Sequence, residues 1–247
     1  MKKKFFYIYG IHPIIEGIKS GKKIYKIFIN KNYSKKKNKN KLILLAKKKK
    51  IPLFFVSLKK INYFTKKNHQ GFIAFISNIN FYKIENIIPL IYEKGKIPLL
   101  LILDSITDIK NFGAIIRTSV CNNVDSIIIP KKNIASINSE IVKSSCGAIF
   151  HIPICKENNL LKTILFLKNY GIKIFSITEK GNTLLYKENF KCPMAIILGN
   201  EEKGILNDYL LLSDNKIRIP INNKILSLNV SVTCGIVLYE IYKQRLK

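Results

Sequence analysis

The hydrophobic and polar positions of the first 80 residues alternate between short apolar runs and amphipathic stretches. The apolar runs predict strands at residues 7–9, 24–29, 53–56 and 71–76. Residues 35–50 are rich in lysine but space Leu42, Leu45 and Ala46 as in a helix. Pro13 follows the first strand at a position where the opening turn of a helix tolerates proline. This pattern predicts a small α/β unit over residues 1–80.

A second pattern begins after residues 81–98, which contain the breakers Pro89, Gly95 and Pro98 and are predicted to be a linker. Residues 99–103 form an uninterrupted apolar run that is typical of a buried parallel strand. Further strands are predicted at residues 126–129, 173–177, 194–198 and 216–219, and helices at 113–121, 159–169 and 229–245. Strands that alternate with helices predict a doubly wound parallel sheet over residues 99–247.

Charge distinguishes the two halves of the chain. The protein has 43 Lys and Arg against 15 Asp and Glu, a net charge of +28. Residues 1–90 contain 22 lysines and only two acidic residues, Glu16 and Glu85, so most of the excess lies there. This excess indicates a polyanionic partner, and we expect a nucleic acid. The alternative is that AT-rich codons over-supply lysine, asparagine and isoleucine, so that part of the charge reflects mutational drift.

Cysteine and histidine spacing argues against metal and disulfide chemistry. None of the five cysteines forms a C-x-x-C pair, and the three histidines lack metal-ligand spacing. The lysines at the start, followed by an apolar run, resemble a signal peptide, but His12, Pro13 and Glu16 interrupt that run. No segment approaches the roughly 18 apolar residues of a membrane helix. We therefore expect a soluble, cytoplasmic protein with no metal, membrane or DNA partner.

Common nucleotide-binding and hydrolase motifs are absent from the sequence, which contains no G-x-G-x-x-G, P-loop or G-x-S-x-G. Polar residues follow the first strand of the second half instead. Asn111 is expected to cap a helix, and Arg117 would lie about one and a half turns further along it. Arg117 is the first arginine of a lysine-rich chain, which suggests a task for a planar, multidentate donor. The alternative is a surface ion pair with Asp104 or Asp108.

Two later segments place polar residues at element ends. Gly199, Asn200 and Glu201 directly follow a predicted strand, which places a carboxylate at the carboxyl edge of the sheet. Ligands bind at that edge in α/β proteins, although a charged turn would give the same pattern. Ser227 and Asn229 flank the start of the last helix, where capping alone would explain them.

Together these segments resemble the SpoU (TrmH) family of RNA ribose 2'-O-methyltransferases, part of the SPOUT class. The family's three motifs occur in family order and spacing, as Asn111-x-Gly113-Ala114-x-x-Arg117, Gly199-Asn200-Glu201-x-x-Gly204, and Ile219-Pro220 with Ser227-Leu228-Asn229-Val230-Ser231. The N-terminal strings Tyr9-Gly10-Ile11-His12 and His69-Gln70-Gly71 are similar to the substrate-binding domain of the branch that methylates 23S rRNA. The resemblance covers essentially the whole chain.

The resemblance implies a fold, a cofactor and a site. The fold would be an α/β, trefoil-knotted methyltransferase domain with a parallel sheet, preceded by a small α/β substrate-binding domain. The cofactor would be S-adenosylmethionine, and the protein would be a homodimer. The resemblance implies the catalytic residues Arg117, Asn111, Glu201, Ser227 and Asn229. It also implies that backbone groups of Gly199, Ile219 and Leu228 hold the cofactor, with Thr178 as a further candidate.

The implied reaction is S-adenosylmethionine-dependent 2'-O-methylation of a guanosine ribose in 23S rRNA. The resemblance implies that Arg117 is the central catalytic residue, and the arginine at this position of the family is sometimes proposed as the base. A guanidinium, however, has a pKa above about 12 and no acceptor atom. We therefore interpret Arg117 as an electrostatic group that stabilises the developing alkoxide, with the proton passing to substrate phosphate or water. The alternatives are a tRNA guanosine 2'-O-methyltransferase and a catalytically silent factor that binds rRNA during ribosome assembly.

Overall fold

The computed structural model describes residues 6–33, 36–200, 202–222 and 227–246. Its internal contacts divide the chain into two units. The first comprises Met1–Asn80 together with Ile137–His151, and the second comprises Phe81–Ser136 together with Ile152–Lys247.

The first unit is built on a mixed sheet. Its elements up to residue 80 are β1 (Phe6–Tyr9), α1 (Ile11–Lys19), β2 (Ile24–Asn30), α2 (Lys36–Lys48), β3 (Leu53–Val56), α3 (Leu58–Asn62) and β4 (Phe72–Ile76). Among the described residues the strand order is β1-β4-β2-β3, and β3 is an edge strand that pairs in parallel with β2. Leu42 and Ala46 are fully buried, as their helical spacing predicts. The predicted small α/β unit is confirmed.

The second unit is built on a parallel sheet. Its elements are α4 (Ile84–Glu93), β5 (Leu99–Leu103), α5 (Ile109–Cys121), β6 (Ser126–Pro130), β7 (Ile154–Glu157), α7 (Leu160–Asn169), β8 (Lys173–Ile177), β9 (Thr183–Leu184), β10 (Met194–Leu198), α8 (Asn207–Leu212), β11 (Asn215–Arg218) and α9 (Val230–Arg245). Within the described ranges the order is β7-β6-β5-β10-β8-β11-β9, and every pairing is parallel. The predicted parallel sheet is confirmed. The apolar runs of the sequence form its buried strands.

Residues 137–151, which lie between β6 and β7 in sequence, pack within the first unit. They contain α6 (Ser139–Ser144) and a 3-10 turn at Ala148–Phe150. Ser139 Oγ donates to the carbonyl of Tyr7 at 2.5 Å, and His151 Nε2 lies 3.0 Å from Glu16 Oε2. Lys67 and Glu140 also form an ion pair. The sequence pattern assigned this segment to the domain of residues 99–247, whereas its contacts group it with residues 1–80.

Residues 81–98 differ from the predicted linker, since they contain α4. Ile84, Ile87, Ile88 and Ile91 of this helix are buried in the apolar core of the second unit. Their i, i+3, i+4, i+7 spacing buries one helix face, and that burial outweighs the propensity cost of Pro89 inside the helix. The proline therefore does not mark a break here.

The start of α5 also differs from its prediction. The helix begins at Ile109, and Asp108 is its cap, with its carboxylate accepting the backbone N–H of Asn111 at 2.7 Å. The expectation that Asn111 caps this helix is therefore wrong, because a good capping residue stands three positions earlier. Asn111 lies in the first turn of the helix. In the part of the chain described, no helix is long and apolar enough to span a bilayer.

Candidate functional site

A cavity of about 550 Å³ opens in the second unit beyond the carboxyl ends of β8 and β10. Its walls combine branched apolar side chains with polar residues from four chain segments. The lining residues are Ile177, Thr178, Glu179, Lys180, Leu198, Gly199, Asn200, Glu202, Lys203, Gly204, Ile205, Ile219, Ile221, Ser227, Leu228, Val230 and Thr233. The three predicted cofactor residues, Gly199, Ile219 and Leu228, therefore meet at one cavity, together with Thr178 and Ser227.

Gly199 stands where β10 turns into the cavity wall. A Cβ at this position would lie 2.3 Å from the carbonyl carbon of Gly204 and 2.4 Å from the nitrogen of Ile205. Both are backbone atoms, so a side chain here cannot be accommodated by a rotamer change. The glycine lets two backbone segments approach closely at the edge of the cavity.

Asn200 closes the turn that follows. Its backbone N–H donates to Gly204 at 3.0 Å, and the N–H of Gly204 donates back at 2.9 Å. Its side-chain oxygen accepts the N–H groups of Glu202 and Lys203 at 2.9 and 3.1 Å. Gly204 has a φ of +69°, which a residue with a side chain rarely adopts. The sequence motif is thus explained locally by the geometry of this turn.

A buried carboxylate anchors the same turn to β5. Asp104 is only 3% exposed and accepts the N–H of Leu206 at 3.1 Å and the hydroxyl of Ser105 at 2.9 Å. The side-chain amide of Asn200 donates to the carbonyl of Ser105 at 2.9 Å. Sequence reasoning considered Asp104 only as a partner for Arg117. Its position immediately after a fully apolar strand is the signal that could have revealed this role.

The opposite wall depends on a close approach between β11 and the chain after β8. The N–H of Thr178 donates to the carbonyl of Ile217 at 2.9 Å. A Cβ at Gly181 would lie 2.5 Å from the carbonyl carbon of Ile217, so this glycine also permits two backbones to touch. These contacts bring Thr178 and Ile219 to the same cavity.

The predicted catalytic residues fall into two groups. Ser227 lines the cavity, whereas Asn111, Arg117 and Asn229 are outside the set of described lining residues. Asn229 caps α9 and donates its side-chain amide to Asn111 Oδ1 at 3.1 Å, which joins the starts of α5 and α9. Arg117 lies on the exposed side of α5, six residues after Asn111. Glu201 lies outside the described residues.

Thiol and metal chemistry gain no support from the described side chains. Burial raises the pKa of Cys234 to about 12 and that of Cys155 to about 11, so both thiols stay protonated at neutral pH. Across the described ranges, no three His, Cys, Asp or Glu side chains converge in a way that could hold a metal ion.

Two family models match separate parts of the chain. The model described as the SpoU rRNA Methylase family matches residues 98–239, which include every lining residue of the cavity. The model described as RNA 2'-O ribose methyltransferase substrate binding matches residues 7–82.

Two bacterial relatives are similar over nearly their whole length. YacO of Bacillus subtilis, named for the TrmH family of tRNA/rRNA methyltransferases, is 31% identical over 245 residues, covering 99% of this chain and 98% of that protein. A protein of Staphylococcus saprophyticus with the same family name is 34% identical over 239 residues, covering 96% and 95%.

Solved structures share the fold. The SpoU methyltransferase AviRb of Streptomyces viridochromogenes, in complex with AdoMet, has a TM-score of 0.82 at 20% identity and covers 98% of this chain and 91% of its own. The AdoMet-bound rRNA methyltransferase of Sinorhizobium meliloti has a TM-score of 0.80 at 21% identity, covering 100% and 90%. The A. aeolicus TrmH/SpoU tRNA modifying enzyme has a TM-score of 0.55 at 29% identity, covering 61% of this chain and 77% of its own.

Proposed function

Because the chain belongs to the SpoU (TrmH) family of RNA methyltransferases, we propose that it methylates the 2'-hydroxyl of a guanosine ribose in 23S rRNA, with S-adenosylmethionine as the methyl donor. The observation that carries this proposal is the single cavity at which the residues of the second and third motifs meet. Gly199, Ile219 and the pair Ser227–Leu228 come from three separate stretches of the chain, yet all four residues line it.

The cavity suits a small nucleoside cofactor. Its volume of about 550 Å³ lies within the range of roughly 300–1,000 Å³ that small-molecule sites occupy. Ile177, Leu198 and Ile219 offer apolar walls for a flat base, and Gly199 lets the backbone of Gly204 and Ile205 close the turn at the edge of the cavity. We propose that Gly199, Ile219 and Leu228 hold the cofactor through backbone groups. We also propose that this part of the chain forms the family's trefoil knot.

When bound, S-adenosylmethionine supplies a methyl group on a positively charged sulfur. The chain must orient the ribose hydroxyl in line with that methyl group and help it lose its proton. We propose that Arg117 stabilises the negative charge that develops on the oxygen, since a guanidinium donates hydrogen bonds but accepts none. The proton then passes to a substrate phosphate or to water, and Ser227 and Glu201 position the ribose.

The Asn111–Asn229 hydrogen bond gives this assignment a physical basis. It ties the helix that carries Arg117 to the cap of α9, and Ser227 on the cavity wall is only two residues before that cap. Asn111 and Asn229 would therefore act as positioning residues that set the distance between the guanidinium and the cavity.

The last helix supports a homodimer. Its buried face includes Cys234, Leu238 and Ile241 and serves the core of its own unit. Its other face exposes Val232, Ile236 and Tyr239 at 49, 38 and 64%, and these positions follow the i, i+4, i+7 spacing of one helical stripe. We propose that this stripe packs against a second copy of the chain.

Changing Ile236 to lysine should weaken that dimer. The substitution places a charge in the middle of the proposed apolar contact while the side chain stays exposed in the monomer. We expect the dissociation constant to rise by at least about tenfold, the equivalent of 1.4 kcal/mol, as measured by sedimentation. Leu165→Lys, at a 48% exposed position on α7, is the matched control and should leave the dimer intact. If Ile236→Lys sedimented with the same mass as the wild type, the dimer contact would lie elsewhere.

The positive charge of the first unit supports rRNA as the target. The 1–80 segment carries 21 lysines and one acidic residue, which suits a large folded RNA. The tRNA-modifying structure of A. aeolicus covers only 61% of this chain, whereas the rRNA methyltransferase of S. meliloti covers all of it. We therefore propose the 23S rRNA branch, represented by RlmB, and a cytoplasmic site of action. The alternatives remain a tRNA substrate and a silent rRNA-binding factor.

Transfer of labelled methyl groups decides among these. Unmodified 23S rRNA and bulk tRNA would each be incubated with the protein and labelled S-adenosylmethionine, and the product mapped to its nucleotide. We expect label on a single guanosine ribose of 23S rRNA. Label in tRNA alone would keep the reaction and overturn the target. Binding of RNA without transfer to either substrate would favour the silent factor.

A further inference from the structure

The first unit exposes aromatic rings on an otherwise lysine-rich surface. Phe54 on the edge strand β3 is 48% exposed, and Tyr63, just after α3, is 86% exposed. Together with Phe28, Lys26 and Lys60 we call these residues the aromatic–lysine surface. Singly exposed apolar side chains are common on protein surfaces, but these two rings adjoin one aromatic cluster, and such a patch is typical of a binding surface.

Each of the two exposed rings meets a phenylalanine of one aromatic cluster edge to face. Phe54 meets Phe28 edge to face, with ring centroids 5.8 Å apart and an interplanar angle of 85°. Tyr63 meets Phe64 in the same way at 5.4 Å and 88°. Phe28 and Phe64 contact each other at 5.9 Å within one cluster. Phe54 is thus oriented by a buried ring before any ligand arrives, which lowers the entropy cost of binding, and Tyr63 adds a second, largely exposed ring beside the same cluster.

Cationic groups lie against the same cluster. The ammonium groups of Lys26 and Lys60 each lie 5.3 Å from the centroid of Phe28, and Lys26 also lies 4.8 Å from that of Phe75. The acidic groups of this unit are engaged elsewhere, since Glu16 contacts Lys19 and His151, and Glu140 pairs with Lys67. Positive charge beside oriented rings is the combination that binds single-stranded nucleic acid.

We infer that the aromatic–lysine surface binds an unpaired stretch of the substrate RNA, with bases stacked on Phe54 and Tyr63 and phosphates beside Lys26 and Lys60. The inference rests on the proposed function in that RNA is the substrate. A duplex keeps the faces of its bases stacked internally and could offer only phosphates and grooves to these rings. The positive charge of the 1–80 segment disfavours a second copy of the chain as the occupant, because like charges repel.

The absence of tryptophan from the sequence provides a direct test. Tyr63→Trp and Phe54→Trp would each introduce the sole tryptophan of the full-length protein. An unstructured 12-nucleotide RNA should quench either emission, because stacking brings a base against the indole, and a blunt-ended RNA duplex of equal charge should quench far less. Tyr186→Trp, at a 59% exposed position in the second unit, is the matched control and should not respond.

Affinity measurements separate stacking from phosphate contacts. Tyr63→Ala should weaken binding of the 12-nucleotide RNA by about 5- to 100-fold without changing its salt dependence, and Tyr63→Phe should restore it. Lys60→Ala should instead reduce the slope of log K against log salt by about 0.7, the value for one phosphate contact on a single strand. Because both side chains are exposed, neither variant should disturb the fold.

The outcomes distinguish this inference from the proposed reaction. Unquenched emission, or equal affinity of wild type and Tyr63→Ala, would overturn the stacking surface even if wild type methylates rRNA. Emission that changes with protein concentration in the absence of RNA would overturn it in favour of self-association. If the wild type transferred no methyl group while RNA still quenched the tryptophan variants, only the proposed reaction would be overturned.

Discussion

Gly199→Ala should abolish binding of S-adenosylmethionine and lower the melting temperature of the protein by several degrees. The added Cβ would lie 2.3 Å from backbone of Gly204, so the turn that closes the cavity must move. Overpacking of this kind costs about 1–3 kcal/mol of unfolding free energy, and here no flexible side chain can relieve it. Calorimetric titration with the cofactor and a thermal unfolding scan measure the two effects.

Gly235→Ala is the matched control for that substitution. Gly235 lies inside α9, and a Cβ there would meet nothing within 4 Å. Alanine is favoured over glycine in a helix interior by up to about 1 kcal/mol, so this variant should melt at a slightly higher temperature and bind the cofactor normally. If Gly199→Ala bound S-adenosylmethionine with wild-type affinity, the cavity would not be the cofactor site.

Local pattern was sufficient to predict most strands of both sheets. Residues 99–103 and 194–198 are apolar without interruption, and only a buried strand of five residues satisfies such a run between turn signals. Both proved to be neighbouring strands of the parallel sheet. The capping role of Asn229 was equally local, since the side chain accepts N–H groups only two and three residues away.

Long-range contacts explain what the pattern did not reveal. Residues 137–151 follow a strand of the second unit in sequence, but bonds such as Lys143 Nζ to Gln70 Oε1 at 2.9 Å place them in the first. A similar effect holds for α4, where burial of isoleucines against distant strands outweighs Pro89. The contact with Gln70 leaves no mark in the sequence around residues 137–151, whereas the isoleucine spacing of α4 is visible in the sequence and was given less weight than Pro89.

Only part of the candidate site could be predicted from the sequence, because long-range contacts bring its residues together. Resemblance to a family identified Gly199, Ile219 and Leu228, and the fold brings them together at the cavity. Lys180 and Lys203 on its rim have no distinguishing sequence context, because lysine is common throughout the chain. The position of Asp104 directly after an apolar strand marks it as a candidate residue of the site, but its partner, the N–H of Leu206, lies a hundred residues away and is not visible in that pattern.

Arg117→Ala should reduce the rate of methyl transfer by about 10²- to 10³-fold, the loss typical of removing one group that stabilises developing negative charge. The affinity for S-adenosylmethionine should not change, because Arg117 is outside the described lining of the cavity. Its exposed position on α5 should keep the change in unfolding free energy within about 0.5 kcal/mol. Single-turnover transfer to saturating 23S rRNA measures the effect separately from binding.

Two further substitutions on α5 determine what property of Arg117 matters. Arg117→Lys keeps the charge but loses the planar donor geometry, so a rate between those of wild type and Arg117→Ala would show that charge and geometry both contribute. Lys110→Ala removes an equally exposed cation from the same helix and should leave the single-turnover rate unchanged. A parallel loss of cofactor affinity in Arg117→Ala would instead assign the arginine to the cofactor site. An unchanged rate in Arg117→Ala would contradict the proposed role of Arg117 in stabilising the alkoxide.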